Sequence, residues 1–296
     1  MAKAFKEFWF EAMLALGVAL VFAGAAGAEE DSSELKGTLT YVQLSDGIWQ
    51  VWQHDLSTDQ SKQLTSDPGD KRNPSAGVDA RITYCTTSET CFDVRPAEEP
   101  KELLSDLQPI REVVWSADGS TMAFTRLQRG VPDSAAIWLA DASGGNAHAL
   151  TQDAGVQQDP GWSPDGTHIV FSAGQGYGTY EIYTIATDGS DRKRLTENGV
   201  HDFMPAWSPN GARIAWTSDS TGDYEIWAMN ADGSEAQQLT KSIGLDSRPA
   251  WSPDGKQIAF TTNRSGRLEI WVMDADGGNP RMLETAAGGA TNPVWK

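Results

Sequence analysis

The side chains that could do chemistry stand just ahead of a repeated tryptophan motif, and they differ from copy to copy. They are Arg72 and Asn73, Arg111 and Glu112, Gln158 and Asp159, His201 and Asp202, Asp246 and Arg248, and Asn292. Carboxylates and imidazoles transfer protons, whereas a guanidinium group can hold a carboxylate in bidentate geometry. Because these residues vary while the motif does not, we predict that they line a binding face.

Two arginines among them, Arg111 and Arg248, are candidate carboxylate clamps in a chain whose formal net charge is -18. The alternative is that the polar residues are solvated loop residues, since loops vary anyway. In that case the two arginines form surface salt bridges worth under about 1 kcal/mol each.

The repeated motif itself indicates how these residues are positioned. Trp115, Trp162, Trp207 and Trp251 each begin a Trp-Ser-(Ala/Pro)-(Asp/Asn)-Gly sequence, at intervals of 47, 45 and 44 residues. Short runs with two-residue alternation follow each copy, as in "ARIAWTS" and "YEIWAM", and Gly, Pro, Asp or Asn separates them. This pattern predicts four short antiparallel strands per repeat, with the motif as the turn that leaves the first strand.

The two ends of the array complement each other. Residues 38–65 contain three strand-like runs with no anchor ahead of them, and residues 292–296 form a lone first strand that carries Trp295. A second weak unit has Ala76 where the tryptophan is expected. Closing the array removes exposed sheet edges. We therefore predict an all-β, six-bladed propeller over residues 37–296, in which the C-terminal strand joins the first blade.

The N-terminus and the cysteines indicate an exported protein. Residues 1–28 carry two lysines, an apolar run and an Ala-Gly-Ala ending, which is typical of a cleaved signal peptide, and residues 29–36 form a short linker. The alternative is an uncleaved membrane anchor. Cys85 and Cys91 flank a polar turn, so an exported chain is expected to join them in a disulfide worth about 2 kcal/mol. We expect a periplasmic monomer without a stable membrane span.

Motifs of known chemistry are missing from the sequence. There is no Gly-x-Ser-x-Gly elbow, and the four histidines follow no metal-binding spacing. A calcium loop starting at Asp274 would need Gly at position 279 and Glu at position 285, where Asn279 and Thr285 stand. We therefore expect no cofactor and no metal. The acidic charge disfavours nucleic acid as a partner.

The consensus "PxWSPDGxxIAFxS...xEIWxMxADGxxxxxLT" resembles the propeller repeat of TolB, the periplasmic component of the Tol-Pal system. Propellers of prolyl oligopeptidase-type peptidases share it. The resemblance is strong from about Arg111 onward and weak over residues 37–104. In TolB a separate α/β domain precedes the propeller, and in the peptidases a hydrolase domain follows it. We expect this sequence to contain neither domain.

The resemblance implies a non-catalytic module that binds a protein or peptide partner at the channel rim, in cell-envelope organisation of the Tol-Pal type. A function inferred from a shared fold is only weakly specified, because one fold hosts many activities. The alternative is a hydrolase or lyase that acts on a saccharide or peptide with rim carboxylates or His201. A third reading is a structural spacer in a larger assembly.

Overall fold

The computed structural model describes residues 35–95, 98–128, 130–131, 134–175, 179–283 and 288–296. The predicted signal peptide and most of the linker therefore lie outside the described residues. Within these ranges the chain is built from short strands, with a single 3-10 turn at Ser105–Leu107. In chain order the strands are β1 (Thr38–Ser45), β2 (Ile48–Asp55), β3 (Gln60–Gln63), β4 (Lys71–Ala76), β5 (Ile82–Thr86), β6 (Cys91–Val94), β7 (Lys101–Glu102), β8 (Ile110–Trp115), β9 (Thr121–Leu127), β10 (Ala135–Asp141), β11 (His148–Ala149), β12 (Val156–Trp162), β13 (His168–Gly174), β14 (Tyr180–Ala186), β15 (Lys193–Arg194), β16 (Asp202–Trp207), β17 (Arg213–Ser218), β18 (Glu225–Asn230), β19 (Gln237–Gln238), β20 (Asp246–Trp251), β21 (Gln257–Thr262), β22 (Glu269–Asp274), β23 (Arg281–Met282) and β24 (Ala290–Trp295).

The described strands form six antiparallel blades of four strands each. Blade 2 (β4 to β7), blade 5 (β16 to β19) and blade 6 (β20 to β23) are separate sheets. Blade 3 (β8 to β11) and blade 4 (β12 to β15) are joined by one parallel bridge between Ala135 and Val156. Blade 1 has the order β24-β1-β2-β3, so its first strand comes from the C-terminus. The six-bladed propeller predicted from the repeat is confirmed.

The circle closes where β24 pairs with β1. Leu39 lies opposite Trp295 in this antiparallel pair. The indole Nε1 of Trp295 donates to the carbonyl oxygen of Lys36 at 2.8 Å, and the backbone N–H of Lys296 donates to Thr38 at 2.9 Å. Each inner strand also contacts the inner strand of the next blade, from β4 through β8, β12, β16 and β20 to β24 and back to β4.

The tryptophan motif makes a tight turn after the inner strand. In blade 6 the N–H of Gly255 donates to the carbonyl of Ser252 at 2.9 Å, and the Ser252 hydroxyl donates to Asp254 at 2.8 Å. Gly255 has φ +70°, a left-handed conformation that a residue with a Cβ adopts only at a cost. This requirement explains why the turn residues recur from blade to blade.

The apolar core lies between neighbouring blades. At the junction of blades 6 and 1, Leu39 and Tyr41 of β1 pack against Ile270 and Val272 of β22. Burying such side chains contributes about 1.5–3 kcal/mol each. The described residues contain no helical segment with the length and hydrophobicity that a membrane span requires.

Blade 2 lacks the motif tryptophan but has a covalent link. Cys85 of β5 lies opposite Cys91 of β6, and the two residues form a disulfide. Both cysteines are buried and pack against Ile110, Val113 and Trp115 of the next blade. The link therefore fastens the centre of blade 2 where it contacts blade 3.

Candidate functional site

Every inner strand contains a bulge with a left-handed residue at the same position. The bulges appear as register shifts between each inner strand and its partner. The left-handed residues, which we call the axial residues, are Asn73 (φ 49°), Glu112 (53°), Asp159 (55°), Met204 (54°), Arg248 (58°) and Asn292 (59°). None is glycine, although this conformation costs a non-glycine residue roughly 1–2 kcal/mol. Strain that recurs at one position in all six blades points to a functional or architectural requirement.

Five axial residues converge in one hydrogen-bond network. Asn73 Oδ1 accepts hydrogen bonds from Arg248 Nη1 and from Asn292 Nδ2, both at 3.1 Å. Asn73 Nδ2 donates to Glu112 Oε1 at 3.4 Å, and Glu112 Oε2 accepts from the backbone N–H of Asp159 at 3.2 Å. The network joins blades 6, 1, 2, 3 and 4. Arg248 of blade 6 therefore reaches past blade 1 to contact blade 2.

Hydroxyl groups on the second strands hold the axial backbone in place. Thr217 and Thr261 accept the N–H groups of Arg248 and Asn292, each at 3.1 Å. Ser172 accepts the N–H of Met204 at 3.3 Å. Every one of these bonds runs from one blade to the next. These three left-handed residues are thus supported by the neighbouring blade, which offsets part of their conformational cost.

The two axial carboxylates are tied to hydroxyl groups as well. Thr125 donates to Glu112 Oε2 at 2.7 Å, and Ser172 donates to Asp159 Oδ2 at 2.9 Å. Burial is the main cause that raises the pKa of Asp159 to about 7, and the negative charge of Glu112 adds to it. Attraction to Arg248 opposes the rise without cancelling it. Near neutral pH this carboxyl group is therefore poised between its charged and neutral forms.

The guanidinium group of Arg248 is the cation of this network. Burial lowers its pKa, the carboxylates of Asp159 and Glu112 raise it, and the positive charge of Arg72 lowers it. Arg72 is half-buried on β4, one residue before Asn73. Arg248 donates one hydrogen bond from its side chain, through Nη1. Its Nε and Nη2 have no hydrogen-bond partner in the part of the chain that the structure describes.

Asp202 and Asp246 are fully buried at the start of their strands, away from the network. Asp202 accepts a hydrogen bond from Asn198 Nδ2 at 2.8 Å, and burial raises its pKa. Asp246 accepts from Ser242 at 3.0 Å and from Arg264 Nη2 at 2.6 Å. Both carboxyl groups therefore fasten the loops that lead into the inner strands.

The remaining predicted residues also lie outside the network. Arg111 forms an ion pair with Glu89 of blade 2, and its Nε donates to the same carboxylate at 3.1 Å. His201 packs its ring against Tyr180, with ring centroids 6.0 Å apart. Gln158 is half-buried, one residue before Asp159. Of the two candidate clamps, Arg248 is the one at the axis.

Sequence reasoning missed the sixth axial residue, Met204, because it is apolar. It also missed the supporting hydroxyl groups on the second strands. The signal was present, since each axial residue stands three positions before the tryptophan or, in blade 2, before Ala76. No group of three or more His, Cys, Asp or Glu residues that could hold a metal ion occurs among the described residues.

A closed ring of six four-stranded blades around a polar axial network defines a six-bladed β-propeller. Residues 199–296 match the family model described as the TolB beta propeller domain. Over 106 residues the chain is 33% identical to the TolB homolog of Chlorobium luteolum, covering 35% of this chain and 22% of that protein. An uncharacterized peptidase of Bacillus subtilis, YuxL, is 28% identical over 106 residues, covering 35% of this chain and 16% of that protein.

Solved structures show the same fold. TolB from Acinetobacter baumannii superposes with a TM-score of 0.76 at 22% identity, covering 88% of this chain and 66% of that one. Putative TolB from Agrobacterium tumefaciens gives a TM-score of 0.72 at 21% identity, covering 87% and 91%. The fold is therefore that of a TolB-like β-propeller. The chain spans about a third or less of the length of the curated relatives that it matches.

Proposed function

We propose that this chain is a non-catalytic, exported propeller that binds a protein or peptide partner at the mouth of its axis, in cell-envelope organisation of the Tol-Pal type. The observation that carries the proposal is the guanidinium group of Arg248, whose Nε and Nη2 donate to no described residue although it belongs to the axial network. A carboxylate of a partner segment is the natural acceptor for these two donors. The similarity to TolB proteins supports a periplasmic location and a protein partner.

The state of the axial carboxylates favours binding over catalysis. Glu112 accepts three hydrogen bonds from within the propeller, and Asp159 Oδ2 accepts from Ser172 and from the N–H of Met204. Oxygens occupied in this way are fixed in position and less free to take a proton from a substrate. The pKa of Asp159, raised to about 7, is the one observation that favours an acid–base enzyme.

One experiment separates the two functions. The wild-type chain, Arg248→Ala and a control with the same charge change on outer strand β23, Arg281→Ala, are used to recover partners from an envelope extract. We expect one protein to be recovered with the wild type and the control, and to be reduced about tenfold or more with Arg248→Ala, because a charged hydrogen bond is worth about 1.5–3 kcal/mol. Equal recovery with all three chains would place the site elsewhere.

The same proteins are tested for turnover on a panel of glycosides and peptides. Turnover that is abolished by Asp159→Asn or Glu112→Gln would establish the enzyme alternative in place of binding. Thermal melting of each variant shows whether a loss reflects the removed group or a loss of folding.

A further inference from the structure

One blade differs in charge from the other five at the mouth of the axis. Two kinds of loop lie at this end of the propeller: those that enter the inner strands and those that join the second and third strands. We call them the rim loops. By sequence, the segments that join these strands in blades 1 to 5 carry one basic residue, Arg129, against eleven acids: Asp46, Asp67, Asp70, Glu89, Asp106, Asp133, Asp153, Glu197, Asp219, Asp223 and Glu284.

The rim loops of blade 6 reverse this charge. Residues 239–245 and 263–268 contain Lys241, Arg264 and Arg267 and no acid. Arg264 forms an ion pair with the buried Asp246, and its guanidinium group stacks over Trp271, with Cζ 4.4 Å from the ring centroid. Lys241 and Arg267 are exposed and remain available to a partner.

The loop that carries Lys241 also carries the most exposed large apolar side chain among the described residues. Ile243 is 93% exposed, and the next such residue, Val131, is 46% exposed. Arg267 is 62% exposed, and its Nε donates to Glu269 at 2.8 Å, which leaves its two terminal nitrogens directed to solvent or to a partner. We name Lys241, Ile243 and Arg267 the blade 6 patch.

The loop that presents Ile243 is held in one shape. The N–H of Leu245 donates to Asn263 Oδ1 at 2.7 Å, and the N–H of Asn263 donates to the carbonyl of Leu245 at 3.1 Å. Gly244 has φ +115°, and a Cβ there would lie 2.3 Å from Asn263 Oδ1. A loop that is already ordered loses little entropy on binding, so its exposed side chain is an efficient anchor.

We propose that the blade 6 patch docks an acidic segment of the protein partner, with an apolar side chain of that segment against Ile243 and its carboxylates on Lys241 and Arg267. This inference rests on the proposed function and names the chemistry of the partner. The charge of the patch complements such a segment. The rim loops of the other blades are acidic on balance, even though Asp67, Glu89, Asp153 and Glu197 form ion pairs, so an acidic segment is favoured at blade 6. An anionic membrane would meet those same acids, which favours a peptide over a lipid surface.

The test uses a short fluorescein-labelled peptide of Glu and Ser with one central Leu, followed by fluorescence anisotropy on the intact chain. A peptide with Lys in place of Glu and vesicles that contain an anionic lipid are measured in parallel. The patch variants are Lys241→Glu and Ile243→Ser. Lys256→Glu, 81% exposed at the opposite end of blade 6, and Met282→Ser, 44% exposed on the outer strand, match them in chemistry.

We expect the acidic peptide to bind the wild type, and to bind about tenfold more weakly to Ile243→Ser, because an isoleucine contact is lost. Lys241→Glu should weaken binding about fivefold at low salt, and less at high salt, because salt screens exposed charges. The two control variants should bind like the wild type. No binding to the wild type, equal losses in the controls, or binding of vesicles in place of the peptide would each overturn the proposal.

Partner recovery with the axial and patch variants distinguishes a wrong blade 6 patch from a wrong axial site. If Arg248→Ala abolishes partner recovery while Lys241→Glu and Ile243→Ser do not change it, docking is confined to the axis and the blade 6 patch is wrong. If Arg248→Ala leaves recovery unchanged while the patch variants reduce it, the axial site is wrong and the patch stands.

Discussion

Replacing Asp159 with Asn should stabilise the propeller at neutral and alkaline pH and leave its stability nearly unchanged in acid. The pKa of this carboxyl group is about 7 in the folded chain, against 3.8 for an unperturbed Asp. Between those two values the folded state keeps a proton that the unfolded state has lost, so stability falls as pH rises. The amide introduced by Asp159→Asn would keep an oxygen that can accept from Ser172 and Met204, and it would carry no charge at any pH.

The size of the effect follows from the pKa shift. A shift of about three units corresponds to about 4 kcal/mol at 1.36 kcal/mol per unit. Interaction with Glu112 and Arg248 spreads the titration over several groups, so we expect roughly 2–4 kcal/mol at pH 8. Other buried acids, such as Asp202, also have a raised pKa. The difference between the two proteins therefore isolates Asp159 better than either curve alone.

The assay is urea unfolding of the wild type and Asp159→Asn at steps from about pH 4 to pH 8. The exposed Asp223→Asn controls for the loss of one negative charge. The free energy of unfolding of Asp159→Asn minus that of the wild type should start near zero and rise through the window. A flat difference, or one that falls as pH rises, would refute the view that this carboxyl group is held in an unfavourable buried setting.

Three further predictions concern the frame of the propeller. In urea unfolding, Trp251→Phe should lower the free energy of unfolding by about 1 kcal/mol more than Trp115→Phe. The reason is that Trp251 Nε1 donates to a backbone carbonyl of blade 5 at 3.1 Å, whereas Trp115 Nε1 is buried without a partner among the described residues. Equal costs would contradict this. Gly37→Ala should lower the thermal midpoint far more than Gly47→Ala, because a Cβ at Gly37 would lie 2.3 Å from a backbone oxygen at the closure, while nothing lies within 4 Å at Gly47. Asp118→Asn should reduce the free energy of unfolding at pH 7 and have less effect near pH 2. Hydrogen bonds from Ser116 and Ser120 lower the pKa of Asp118 to about 2, so the stability that the charged carboxylate contributes is lost as pH falls through that value.

The fold followed from the sequence because its determinants are local and repeated. Each Trp-Ser-Pro-Asp-Gly turn needs its residues wherever it occurs, and the alternating runs between turns need two-residue periodicity. The closure by Trp295 could also be predicted, because one end lacked a strand that the other end supplied. The disulfide between Cys85 and Cys91 was expected on similar grounds, from two cysteines on either side of a short turn.

The candidate site could be predicted from the sequence only in part, because its geometry depends on contacts between blades. Propensity does not predict a left-handed Glu112 or Arg248 in the middle of a strand, and the bulge decides which neighbour faces the axis. Arg111 and Glu112 are adjacent in sequence, yet Arg111 pairs with Glu89 on the preceding blade and Glu112 enters the axial network. Met204 was missed for a different reason. It is apolar and was not considered a site residue, although its position in the repeat makes it an axial residue.

The closure by β24 makes the order of the blades along the chain arbitrary. Thr38 and Lys296 are hydrogen-bonded neighbours, so a short linker could join them and a new pair of termini could be opened in one of the rim loops at the other end of the propeller. Such a circular permutant would keep every strand pair within the six blades. Opening a loop that joins the second and third strands of a blade would make that blade the one completed from two distant chain segments, whereas opening a loop that enters an inner strand would leave every blade contiguous in sequence.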